Sequence, residues 1–141
     1  MSDERYPEAD PREWLRFARG DALVAHADIP GARLETFCFH AQQAAEKAIK
    51  GVLLLRGIPF PRTHDLDRLL DLLEEQEPDV PGEVRGAGCL TQFAVEGRYP
   101  MPFPQVTPEE LSEALAQADA VVRWAENQIL AGERPSPATE G

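Results

Sequence analysis

At 141 residues, 43% of them hydrophobic and 28% charged, the chain is sized for one domain with a core of its own. Its formal net charge of −11 is unevenly placed: residues 1–64 carry nine basic and nine acidic side chains, residues 65–141 five basic and sixteen acidic. An acidic surface repels phosphates at long range, which disfavours nonspecific duplex binding while leaving room for a local basic patch in the first half.

No apolar run approaches the roughly 18–20 residues that a bilayer span requires, and the opening MSDERYPEAD lacks the basic and apolar regions of a signal peptide. The sequence therefore predicts a cytoplasmic protein with no membrane association. Cys38 and Cys89 fall at apolar positions of predicted helices without CxxC or histidine spacing, so both are expected to be buried thiols rather than a disulfide or metal site.

Residues 1–10 are read as an N-terminal extension, 11–131 as a helical domain and 132–141 as a disordered tail. Asp10-Pro11 is an N-cap followed by proline at the first helical position, and Trp14, Leu15, Ala18, Ala22 and Ala25 then recur at helical spacing to about residue 26. After Pro30-Gly31 a longer helix is predicted over 32–56. Its apolar arc runs through Leu34, Phe37, Cys38, Ala41, Ala44, Ala45, Ala48, Ile49, Val52 and Leu55. Gly57 suits its C′ position, and Pro59 and Pro61 bar continuation. A third helix, capped by Thr63 and ending near residue 76, carries Leu66, Leu69, Leu70, Leu72 and Leu73. A fourth is predicted over 82–97 with Val84, Ala87, Leu90, Phe93 and Ala94. A proline-rich connector at 100–104 then leads to Thr107-Pro108-Glu109-Glu110, a capping box that opens a fifth helix reaching about residue 130. Five helices without a strand pattern or repeat predict an all-α, antiparallel up-and-down bundle: four helices plus a short extra one.

The polar side of the second helix holds the chain's two lysines. Wound at 100° per residue, Arg33, His40 and Lys47 form one stripe and Thr36, Gln43 and Lys50 an adjacent one, both opposing the apolar arc. Two ammonium groups three positions apart can face one anion such as a phosphate. Gln43, Lys47, Lys50, Arg56 and His64 are accordingly the candidate nucleotide- or anion-binding residues. The same face also suits a dimer or partner surface, or a solvated side carrying a Glu46–Lys50 ion pair. Asp65, Asp67 and Asp71 read as complements to a helix dipole rather than a metal site; Glu74, Glu75 and Glu77 read as a solvated helix end. There is no phosphate loop, nucleophile elbow or HExxH, and no motif implies a cofactor.

The run Phe39-His40-Ala41-Gln42-Gln43-Ala44-Ala45-Glu46-Lys47-Ala48-Ile49-Lys50-Gly51 resembles the central helix of HEPN (higher eukaryotes and prokaryotes nucleotide-binding) domains. Arg56-Gly57-Ile58-Pro59, Thr63-His64-Asp65-Leu66 and Arg98-Tyr99-Pro100 match in order and spacing, so that the resemblance spans about residues 12–130. It implies a helical bundle that is often a homodimer and commonly paired with a minimal nucleotidyltransferase-domain protein. It further implies nucleotide binding or, in many branches, metal-independent RNase activity on RNA, as in the toxins of toxin–antitoxin pairs. Active branches carry an arginine four to six residues before a histidine. Counted as intervening residues, Arg19 with His26, and Arg33 with His40, match with six residues between them, but neither arginine is followed by the usual Asn or Asp and neither pair lies late in the bundle. The chain thus departs from the catalytic pattern, with Arg33 and His40 as weak catalytic candidates. In some related systems a nucleotidyltransferase adds AMP to a HEPN tyrosine. Arg98 and Tyr99 are thereby marked as a modification site or a loop anchor, with Tyr6 the other tyrosine available.

Overall fold

The computed structural model describes residues 10–94 and 106–131 and contains no strand among them. Helix α1 spans Pro11–Ala25, α2 Leu34–Leu55, α3 Leu66–Glu74, α4 Gly82–Arg85 and α5 Pro108–Ala131, and a 3₁₀ helix, Gly86–Phe93, continues directly from α4. The helix starts follow their capping residues. The Asp10 carboxylate accepts from the Arg12 amide at 2.8 Å with Pro11 at the first position of α1. Before α5, Thr107 and Glu110 accept reciprocally from each other's amides at 3.1 and 2.8 Å. Asp65, rather than Thr63, caps α3, accepting from the amides of Asp67 and Arg68; the Thr63 hydroxyl instead accepts from the Asp65 amide.

The long helix α2 is the axis of the bundle, packed against both α1 and α5, which also pack against each other. Ala41, Ala44, Ala45 and Ala48 are fully buried along it and let the neighbouring helices approach closely, while Ile49, Val52 and Leu53 fill the gaps. Cross-helix pairs fix the directions. Arg19 meets Glu126 and His26 meets Asp119, so α1 and α5 are antiparallel; Asp21 meets His40 and Lys47 while Trp14 lies against Gly51, so α1 and α2 are antiparallel too. A Schellman motif ends α2. The Gly57 amide donates to Leu54 O at 3.0 Å and the Ile58 amide to Leu53 O at 2.9 Å, with Gly57 at φ 72° and Ile58 buried.

Two expectations need correction here. The fourth helix is not an α-helix over 82–97: one α turn tightens into the 3₁₀ segment, and residues 95–97 lie outside the described residues. The apolar positions explain the change. Val84, Ala87, Leu90 and Phe93 repeat at a strict interval of three, which lines one edge of a 3₁₀ helix but drifts around an α-helix. Gly88 also sits against α3 so closely that a Cβ there would meet Asp67 Oδ1 at 1.9 Å. The second correction concerns the thiols. Cys38 is buried as expected, whereas Cys89 is exposed, on the outer side of that same segment. Burial, assisted by the nearby charges of Glu35 and Glu110, pushes the Cys38 thiol up to about 11. Tyr6, Arg98, Tyr99, the 100–104 connector and the 132–141 tail lie outside the described residues.

Candidate functional site on the polar side of the second helix

Two carboxylates organise the polar side of α2. The first is Asp21, which α1 presents to the middle of α2. Its Oδ2 accepts from Lys47 Nζ at 2.6 Å and its Oδ1 from His40 Nδ1 at 2.9 Å. Because the Asp21 carboxylate can only accept, Nδ1 is the donor nitrogen of His40, and the matching neutral tautomer carries its lone pair on Nε2. The Phe39 ring meets the His40 ring edge-on, with centroids 5.2 Å apart. Arg33, two turns earlier on the same stripe, is the exposed N-cap residue of α2, and its side chain makes no cap hydrogen bond.

The second is Glu46, whose side chain is 4% exposed. Its Oε2 accepts from Lys50 Nζ at 2.9 Å, and its Oε1 accepts from Gln42 Nε2 at 3.0 Å and from His64 Nδ1 at 3.0 Å. Gln42 also donates to the His64 carbonyl at 3.1 Å and accepts from Gln43 Nε2 at 2.7 Å. The Lys50 ammonium, on a side chain 3% exposed, lies 5.9 Å from the Trp14 ring centroid and 5.8 Å from that of Phe60, in cation–π range of both. His64, by contrast, is 62% exposed, so the network ends at the surface.

The structure thus divides the expected set. Lys50 does not oppose the apolar arc: together with Gln42 and Glu46 it is buried, because Trp14 from α1 and Phe60 from the loop after α2 close over that part of the helix. The Glu46–Lys50 ion pair exists, but inside the protein. Lys47 and His40 share Asp21. Arg56 is held by Glu77 and Gln128, away from both carboxylate centres, so Glu77 is not merely a solvated helix end. Glu74 and Asp71 likewise face Arg85. The members of the other RNase-like pair are engaged with α5: Arg19 Nε lies 2.7 Å from Glu126, and His26 Nε2 lies 2.9 Å from both oxygens of Asp119.

Asp21, Gln42, Glu46, Trp14 and Phe60 were missed as members of the site. The 42/46/50 spacing was a usable signal, since residues four apart share a helix face. The position of Asp21 opposite Lys47 depends on how α1 docks, which local periodicity does not encode. Chemically, each carboxylate neutralises one ammonium, so the centre is not a dense field of free positive charge. What remains open to a ligand is its edge: Arg33, His40 Nε2 and the outer ring of His64. Among the described residues no group of three or more His, Cys, Asp or Glu side chains is placed to hold a metal ion, and no helix is long and apolar enough to cross a membrane.

Comparison with known proteins follows the fold. The HEPN domain family model matches residues 11–128. TT1696 from Thermus thermophilus superposes with a TM-score of 0.68 at 32% identity, over 84% of this chain and 97% of that one. ST0689, an archaeal HEPN homologue, superposes with a TM-score of 0.65 at 27% identity, over 85% of this chain and 98% of that one. No curated protein matches the sequence.

Proposed function

Because this chain belongs to the HEPN domain family, we propose that it acts as a non-catalytic helical binding module, one that forms a homodimer and engages a nucleotidyltransferase-domain protein. The observation that carries this reading is the engagement of the nominated cations. Lys47, Lys50, Arg56, Arg19 and the rings of His26, His40 and His64 each face a carboxylate of the same chain. Such groups hold a surface in shape better than they stabilise the developing charge of a reaction.

A nucleotide or other anion contact belongs to this reading at the rim, where Arg33, His40, Gln43, Lys47 and His64 lie along α2 and its neighbouring loop. Lys50 supports that rim from below. Titration calorimetry with ATP and GTP tests the contact, comparing the wild type with Arg33→Ala and Lys47→Ala, alone and with a coexpressed nucleotidyltransferase. Weak heat lost in the variants is expected; no binding by the wild type in either setting would remove the nucleotide contact.

One observation favours a second reading, a metal-independent RNase toxin. Asp21 fixes His40 in the tautomer a general base needs, with Arg33 exposed on the same stripe. Cleavage of RNA by the purified chain, abolished in His40→Ala, is its signature. Nucleotide addition at Tyr99 or Tyr6 is a further expectation of the family pairing, and mass spectrometry after coexpression tests it.

A further inference from the structure

Helix α1 is apolar on two sides. Its inner side, Trp14, Leu15, Ala18 and Ala25, is buried in the bundle. Its outer side carries Phe17, Gly20 and Val24 within a 60° arc at 100° per residue, with Leu23 a further 60° round from Gly20. Phe17 is 53% exposed, Leu23 76% and Val24 39%, so three of the five exposed large hydrophobic side chains among the described residues stand on this one helix. Single exposed apolar residues are ordinary, but a grouping along one seam is the pattern of an interaction surface.

At the centre of the seam is Gly20. A glycine in a helix interior costs about 1 kcal/mol relative to alanine, and nothing among the described residues requires it there, since a Cβ at Gly20 would meet no atom of theirs within 4 Å. A second helix crossing closely at that point would supply the reason. Large apolar side chains lie three residues either side of Gly20, Phe17 before it and Leu23 after it. With two α1 helices antiparallel about a two-fold axis at Gly20, Phe17 of one copy falls opposite Leu23 and Val24 of the other, and the reverse contact follows by symmetry.

Electrostatics select the same face. Residues 65–141 hold sixteen acidic against five basic side chains, so like charge opposes self-association through α3 or α5. The rim of the α1 seam is neutral. Arg16 donates to Glu13 at 2.8 Å and lies 4.8 Å over the Phe17 ring, covering one end of the apolar strip with a balanced pair. We infer that the outer face of α1 is the homodimer interface of this chain, with a second copy packed antiparallel across Gly20. The inference rests on the dimer reading above and names the surface that makes it.

Sedimentation of the full chain over a range of concentrations tests it, comparing the wild type with Phe17→Glu and Leu23→Glu. A third protein places a cysteine on the axis, Gly20→Cys with Cys89→Ser, for mild oxidation. The expected result is a concentration-dependent wild-type dimer, weakened roughly tenfold or more by either glutamate. The Gly20→Cys chain should give a reducible covalent dimer, because two α carbons at such a crossing come within the roughly 4.4–6.8 Å that a disulfide spans. The substituted side chains are exposed, so unchanged circular dichroism is expected, and the cross-link reports the interface without disrupting it. A wild-type dimer that tolerates both glutamates and does not cross-link would overturn the α1 interface and leave the dimer reading in place. A monomeric wild type at every concentration would overturn both. A monomer whose glutamate variants lose a copurifying nucleotidyltransferase would assign the face to that partner and overturn self-association.

Discussion

Glu46 accepts hydrogen bonds from Lys50, Gln42 and His64 while its side chain is almost out of solvent. Burying two charges costs several kcal/mol per ion after relaxation, which their attraction only partly returns. Removing one partner is therefore much worse than removing both. Glu46→Ala is expected to lose about 3–5 kcal/mol in urea unfolding, whereas Glu46→Leu with Lys50→Met should recover most of that loss. Equal costs for the single and double changes would show that the pair is not buried as described. The thiols provide a second test at this scale. Ellman's reagent should label Cys89 rapidly in the native protein and Cys38 only after unfolding. Since the folded Cys38 thiol is raised from 9.0 to about 11, the native state holds its proton more tightly than the unfolded chain. Its contribution is fully present below pH 9 and is lost as the pH rises toward about 11, so stability falls in that window. Much of this was hidden in the sequence. Gln42, Glu46 and Lys50 share a spacing of four, but winding α2 by itself puts Lys50 beside the exposed edge of the helix. Its burial comes from Trp14 and Phe60, thirty-six residues before it and ten after, whose approach depends on tertiary docking.

At the scale of elements, several starts and stops follow local chemistry and were legible, although Asp65 rather than the expected Thr63 caps α3. Asp10-Pro11, Thr107 with Glu110, and Gly57 each perform the capping role that their residue types predict. Gly57 gives the sharpest check. At φ 72° an alanine Cβ is strained by roughly 1–2 kcal/mol, so Gly57→Ala should lower the unfolding free energy by about that amount without altering helix content. An unchanged or raised midpoint in urea would contradict the Schellman geometry. Where sequence reading erred, at 82–97, it recognised a helix and mistook its winding. The interval of three through Val84, Ala87, Leu90 and Phe93 was present, but helical expectation averages it into an α pattern. The close approach of Gly88 to Asp67 belongs to the packing of two elements.

Across the whole molecule, α1, α2 and α5 are joined by ion pairs as well as by their apolar core. Arg19–Glu126 and His26–Asp119 repeat seven residues apart along both α1 and α5, marking the register of that seam. Partly exposed pairs of this kind add about 0–1 kcal/mol each, so they specify register more than they stabilise the fold. The same pairs engage the side chains from which a reactive arginine–histidine unit would be drawn. His40 is bonded through Nδ1 alone and shares a helix stripe with the exposed Arg33, and on that residue the binding-module account stands most open to contradiction. The most direct measurement is incubation of the purified full chain, free of any partner, with a mixed single-stranded RNA, followed by gel analysis beside His40→Ala. The account predicts intact RNA with both proteins. Cleavage by the wild type that disappears in His40→Ala would contradict it and establish the RNase reading.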